Sequence, residues 1–444
     1  MFSALFDHVR SPLLALGFVA PLAIASAPPA AAIDIEQVTS PGGIEAWLVE
    51  DHTVPVVMMK FAFKGAGAAQ DPTDKPGVAY LLSTLLDEGA GTYDSQAFQT
   101  ALEDQSVKMS FQASRDSFYG DLAMLADNPT DGIDLLQLAL TDPHFDQEPI
   151  DRMRDQIISG IRRDQRDPSS VAGDLWAEAA FPDHPYGRPR EGTEESVGAI
   201  TKADLQAFKD ATFARDNLNV VVVGAIDAET LEPLLDKAFG DLPAQASLKP
   251  VADITPKTGE TLTETMSVPQ TAVRFGGPGL KRDDPDFIAG FVMNYILGGG
   301  DFSSRLFTEI REKRGLAYSV YSYLLPLDHS AVFGGGTATR ADRVDETVRL
   351  LREEIQRMAV DGPTEAELEE AKAYLTGAYP LRFDSSSDIA GQLLGIQLEE
   401  LGIDYVDNRN DLIEAVTLDD VRRVAKRVLG GPAPTIVTVG PSGA

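Results

Sequence analysis

The chain has 444 residues, with 38 Lys and Arg against 69 Asp and Glu, giving a formal net charge of −31. A surface so acidic repels phosphate backbones and anionic lipid, which argues against nucleic acid or anionic membrane as a partner. There is no cysteine, so no disulfide supports the fold and no thiolate serves as nucleophile or metal ligand.

In chain order, residues 1–32 come first. MFSALFDHVR leads into the apolar run SPLLALGFVAPLAIASA and then the small-residue stretch PPAAA. This order predicts a signal peptide cleaved near Ala32, hence export to a bacterial periplasm. The run is too short to span a bilayer comfortably, and no later stretch is apolar enough for a membrane span. A cysteine-free chain suits that compartment, where a stray thiol would oxidise.

The first half, residues 33–240, opens with strands inside WLVEDHTVPVVMMKFAFKG. GVAYLLSTLLDEGAG, residues 77–91, follows as a short helix begun after Pro76 and ended at Gly89. Val78, Leu81, Leu82 and Leu85 fall on one face and predict burial, while Asp87 and Glu88 read as surface acids before the glycine. Further helices are predicted over 130–141 and 147–165. DLPAQASLKPVADITPK, residues 241–257, lacks periodicity and reads as a linker. The second half, 258–444, begins with the strand TAVRFGG, followed by helices near 285–297, 342–360 and 364–379.

Each half closes in the same way. Thr201 and Thr417 both precede a helix with an aspartate three residues on, Asp204 and Asp420, which is the spacing of a capping box. Each helix leads to a strand ended by glycine, Gly224 or Gly440. The separations Thr201 to Thr417 and Gly224 to Gly440 are both 216 residues. An ungapped repeat of cap, helix and strand predicts two homologous α+β domains, each with helices packed on one face of a mostly antiparallel sheet.

The five histidines, His8, His52, His144, His184 and His329, are scattered, and no two have metal-ligand spacing. His184, in the turn HPYG, is expected to hydrogen-bond backbone.

AFPDHPYGRPREGTEESVGAITKADLQAF (180–208) and LGGGDFSSRLFTEIREKRGLAYSVYSYL (297–324) resemble the pitrilysin-like zinc metallopeptidases. That family includes the mitochondrial processing peptidases and bacterial relatives. The resemblance implies two similar domains facing each other as a clamshell. It also implies a zinc motif, H-x-x-E-H, on a helix of the first domain, in which two histidines one turn apart bind metal and the glutamate acts as base. Aligned on GVA and LLDEG, the three functional positions fall on Tyr80, Ser83 and Thr84, and a further acidic ligand falls near Ser159 and Gly160. Every ligand is missing, so the expectation is no metal and no cofactor in this chain.

The resemblance also assigns Arg311 and Tyr318, seven residues apart, as donors to the substrate beside the scissile bond. Read from spacing alone, Arg311 could instead pair with Glu309 or Glu312 on an exposed helix while Tyr318 packs in a strand. Gly298, Gly299 and Gly300 read as a substrate-guiding loop or as a tight turn capped by Ser303 or Ser304. The strand YSVYSYLL, with Tyr321 among its aromatics, offers an edge to which a peptide could add. Because some bacterial members of that family work as pairs, the resemblance implies a noncatalytic, peptide-binding subunit in a heterodimeric peptidase, with zinc held by an H-x-x-E-H partner. The alternative is a peptide-binding or scaffold protein with no part in hydrolysis.

Overall fold

VVVVG, residues 220–224, is apolar without alternation, and a strand of that kind needs cover on both faces. The computed structural model, which describes residues 33–441, shows where the cover comes from. The expected leader, its cleavage point near Ala32 and His8 lie outside the described residues.

The first sheet contains β1 (Glu36–Thr39), β2 (Glu45–Glu50), β3 (Val56–Lys64), β4 (Lys108–Ala113), β5 (Ser117–Leu125) and β6 (Leu218–Gly224). Their order is β1-β2-β6-β3-β5-β4. The second contains β7 (Thr261–Thr265), β8 (Gln270–Pro278), β9 (Ala317–Leu327), β10 (Ser330–Arg340) and β11 (Thr435–Gly440). Its order is β7-β11-β8-β10-β9. Apart from β1 the two orders are the same. Each sheet is antiparallel save for one parallel pair at the equivalent place, β2 with β6 and β7 with β11. The repeat read in the capped helix and its strand therefore extends to the order of the whole sheet.

On one face, each sheet packs against helices of its own half. Phe61, Leu81, Leu136, Leu205 and Val222 share the first core, and Phe275, Val292, Leu351, Val424 and Ile436 the second. The capping boxes form as the sequence predicts: the Thr201 and Thr417 hydroxyls accept from the amides of Asp204 and Asp420, and each carboxylate accepts in return. Predicted helices appear as Pro129–Thr141, Gln147–Asp164, Val344–Asp361 and Glu365–Gly377. The one expected near 285–297 is α-helical over Phe287–Asn294 and widens to a π turn at Tyr295–Gly299.

The opposite faces are covered by exchange. Helix Pro168–Ala180 of the first half lies on the second sheet, with Trp176 against Ala272, Val437 and Val439. Helix Ser386–Leu398 of the second half lies on the first, with Ala390 and Leu393 against Ala62, Val221 and Val223. Gly276 makes the first contact possible, because a Cβ there would sit 2.5 Å from the Trp176 ring. Residues 241–257 hold no helix or strand, yet they are fastened along their length. The amides of Lys249, Ile254 and Lys257 donate to Gln70 Oε1, His329 O and Ala180 O at 2.8, 2.9 and 2.9 Å.

Candidate functional site

The helix that should carry a zinc motif runs only over Val78–Ser83, followed by turns to Gly89 at φ 108. Val78, Leu81, Leu82 and Leu85 are buried in the first core as their spacing predicts. Its start is held by Asp71, whose carboxylate accepts from the amides of Gly77 at 2.7 Å and Ala79 at 2.8 Å. Burial pushes the Asp71 carboxyl up to about 7, against the pull of those two amides and of Arg188 and Lys249.

At the ligand positions, polar groups turn back on the helix. Ser83 Oγ donates to Tyr80 O and Thr84 Oγ1 to Leu81 O, each at 2.8 Å. The Tyr80 ring lies under the Arg190 guanidinium, 5.5 Å from its centroid. Three neutral hydroxyl side chains, two of them satisfied internally and one beneath a cation, do not fit a zinc ion. Ser159 is exposed on the following long helix and Gly160 offers no donor. Among the described residues no group of three or more His, Asp or Glu side chains converges as a metal shell.

Two polar residues near this helix repay comparison with expectation. Glu88 is not a surface acid: it is buried, and its carboxylate takes Arg152 at 2.7 Å and the Ser95 hydroxyl at 2.5 Å. The partner is 64 residues away in the chain, which is why sequence placed Glu88 outside. Asp87 is half-buried, and burial raises its pKa. His184 bonds backbone on both sides, with Nδ1 accepting from Tyr186 N and Nε2 facing Ala252 O at 2.9 Å.

Arg311 and Tyr318 show the reverse character. Arg311 sits in the π turn Phe307–Glu312, exposed, its guanidinium 5.1 Å over the Phe307 ring. The pairing of Arg311 with Glu309 does not occur. Glu309 accepts instead from Lys313 at 2.6 Å and Arg314 at 2.7 Å, and these bonds hold its carboxyl below the usual range. Arg311 has no ion-pair partner among the described residues. Tyr318 is 87% exposed rather than packed. Its direction comes from a bulge on β9: Val320 faces Thr337 and Ala317 faces Thr339, so Tyr318 and Ser319 together oppose Ala338. Bulges on edge strands re-aim side chains in this way, and β9 is an edge.

Farther along β9, Tyr321 is 42% exposed and stacks on Tyr323. Both hydroxyls bond Arg274 of β8, Tyr321 at 3.3 Å. No local pattern points to Arg274, since only strand pairing puts it beside these tyrosines. Gly298 is buried, and a Cβ there would strike Ser322 of β9 at 2.5 Å. Gly299 and Gly300 approach Asn294 and Tyr295 as closely, and Ser304 Oγ bonds Asp301 O at 2.9 Å. This packing is that of a tight turn, whose exposed tip is Phe302, 72% accessible and edge-on to Phe307.

A cavity of about 550 Å³ opens between the two halves, lined by Arg115, Asp116, Asp174, Arg190 and Leu325 among others. Arg190 connects it to Tyr80 and Leu325 to β9, but Arg311 and Tyr318 do not line it.

Comparison with known proteins agrees with this geometry. The profile described as Peptidase M16 inactive domain matches residues 199–375, and Insulinase (Peptidase family M16) matches 49–194. The chain is similar to an uncharacterized zinc protease of Streptomyces coelicolor, 30% identical over 92% of this chain and 90% of that protein. It is also similar to the non-peptidase homolog YmxG of Helicobacter pylori, 28% identical over 76% of this chain and 78% of that one. Among solved structures, the peptidase M16 inactive domain from Pseudomonas fluorescens superposes with a TM-score of 0.86 at 28% identity. That superposition covers 93% of this chain and 99% of the other.

Proposed function

The chain belongs to peptidase family M16, and from that premise we propose that it is the noncatalytic, peptide-binding subunit of a periplasmic heterodimeric peptidase. The observation that carries this reading is the pair Arg311 and Tyr318: both are exposed, and Arg311 has no ion-pair partner among the described residues. A folded protein ordinarily gives such groups neighbours, and an unpaired guanidinium beside a re-aimed phenol suits a ligand that arrives from outside. The residues at Tyr80, Ser83 and Thr84 do not fit the family's metal, so the metal, the water it activates and the base belong to the partner.

In this reading a peptide extends along the free edge of β9, adding main-chain hydrogen bonds, with Tyr321 beneath it. Arg311 and Tyr318 donate toward the carbonyl oxygen that gains charge during hydrolysis. Donors aimed at that oxygen stabilise the charge as it develops. The periplasmic setting rests on the predicted leader.

The test begins with the tagged mature chain, drawn from its native periplasm and analysed by mass spectrometry. A stoichiometric partner bearing H-x-x-E-H is expected. With the pair in hand, Arg311→Ala and Tyr318→Phe should each lower turnover about a hundred-fold while assembly is unchanged. Unaltered kinetics in both variants would remove the assigned role. A chain recovered alone would favour a binding or scaffold protein instead.

A further inference from the structure

An arginine inside a protein is ordinarily matched by a carboxylate, because an unpaired buried charge is costly. In a chain with 69 acidic residues against 38 basic ones, partners are abundant. Yet three arginines converge on one cavity of the second half and none of them forms an ion pair among the described residues. The cavity has a volume of about 340 Å³, and Arg282, Arg382 and Arg409 line it. It lies among helices Phe287–Asn294, Ser386–Leu398 and Tyr405–Glu414 and the turn Tyr379–Phe383.

Arg409 is the deepest of the three, 6% exposed. It donates to Leu375 O and Asn410 Oδ1, both at 3.0 Å, and lies 4.1 Å over the Tyr379 ring. Burial lowers its pKa, and the nearby charges of Arg382 and Arg282 act in the same direction. Arg282 is stacked between Phe287 at 4.4 Å and Tyr405 at 5.2 Å. Of the acids that follow it in sequence, Asp283 is exposed and makes no ion pair among the described residues, while Asp284 is committed to Arg427 at 2.5 Å and Asp286 to Arg423 at 2.7 Å. Arg382 stands exposed at the rim. Tyr379, also in the lining, keeps a buried hydroxyl without a hydrogen-bond partner.

The remaining wall is mostly apolar, including Phe291, Leu324 and Ile396. Glu399 is the one carboxylate in the lining, and it pairs with none of the three arginines. A pocket of this size with an apolar wall and a few convergent polar groups is the usual form of a small-molecule site. Planar guanidinium groups select carboxylate or phosphate as the polar end.

We propose that this cavity binds a small organic carboxylate, its head among Arg282, Arg382 and Arg409 and its apolar body against Phe291, Leu324 and Ile396. The anion offsets the mutual repulsion of the arginines, and the apolar wall favours a hydrocarbon or aryl body over inorganic phosphate. The inference does not depend on the peptidase partner.

Isothermal titration calorimetry on the mature chain tests it, with octanoate, 3-phenylpropionate, inorganic phosphate and octylamine as probes. One-to-one saturable binding is expected for at least one carboxylate and not for the amine. Arg382→Gln, at an exposed position that leaves the fold intact, and Arg282→Gln should each weaken that binding about ten-fold or more. No saturable carboxylate binding, equal binding of octylamine, or unchanged affinity in Arg382→Gln would overturn the proposal. Phosphate binding as tightly as either carboxylate would overturn the role given to the apolar wall.

Discussion

The two halves share a strand order and a 216-residue repeat, but they treat their polar groups in opposite ways where function is at stake. Around residues 80–84 the hydroxyls of Ser83 and Thr84 bond their own helix, and the nearby Glu88 is closed off by Arg152 and Ser95. Around residues 311–321 the fold leaves Arg311 without an ion pair among the described residues, and a bulge points Tyr318 outward. The first region therefore supports the domain, and the second leaves its polar groups at the surface. A site loses its chemistry without losing its scaffold when the apolar face of its helix is still required by the core.

That contrast is open to direct attack by substitution. The largest effect is expected from Leu82→Ala, which empties a fully buried position in the first core. It should cost about 2–5 kcal/mol in urea denaturation. A loss under about 1 kcal/mol would show that the helix no longer supports the core.

Asp71→Asn examines how the same helix is held. With a folded-state value of about 7, against about 3.9 for an unperturbed aspartate, the folded state retains a proton that the unfolded chain releases. The resulting stability is fully present below about pH 4 and is lost as pH rises toward about 7. Denaturation of the parent chain should therefore show a decline across this window that the variant lacks, approaching 1.4 kcal/mol per pH unit at its steepest. Parallel profiles would place the Asp71 titration outside it.

Thr201→Ala and Thr417→Ala measure how alike the halves are. Each removes the same cap from the same helix, so each should cost about 1 kcal/mol, measured by thermal unfolding. A marked inequality would break the equivalence of the repeat. The smallest effect belongs to Tyr318→Phe, expected to leave stability within about 0.5 kcal/mol of the parent. A larger loss would show that the fold, and not a ligand, uses the phenol.

Much of this was legible in sequence where the signal is local. The capped helices and the strands ending at Gly224 and Gly440 follow from spacing within a few residues. The burial of Val78, Leu81, Leu82 and Leu85 follows from helical period. Edge strands β1 and β7 escaped because they are short and mostly exposed, with little apolar pattern. Arg274 and Glu88 escaped for another reason: their partners, Tyr321 and Arg152, lie 47 and 64 residues away.

The sequence by itself determined the repeated domain plan and the caps, because each depends on residue type at fixed short spacing, whereas the zinc positions at Tyr80, Ser83 and Thr84 were implied by the family resemblance. Only the tertiary structure decided that each half covers the other's sheet, through Trp176 on one side and Leu393 on the other. It likewise decided that Glu88 is enclosed, that Tyr318 stands free, and that Arg282, Arg382 and Arg409 share a cavity. Those outcomes arise from contacts between residues far apart in the chain, and their energies depend on which surfaces meet when the two halves pack.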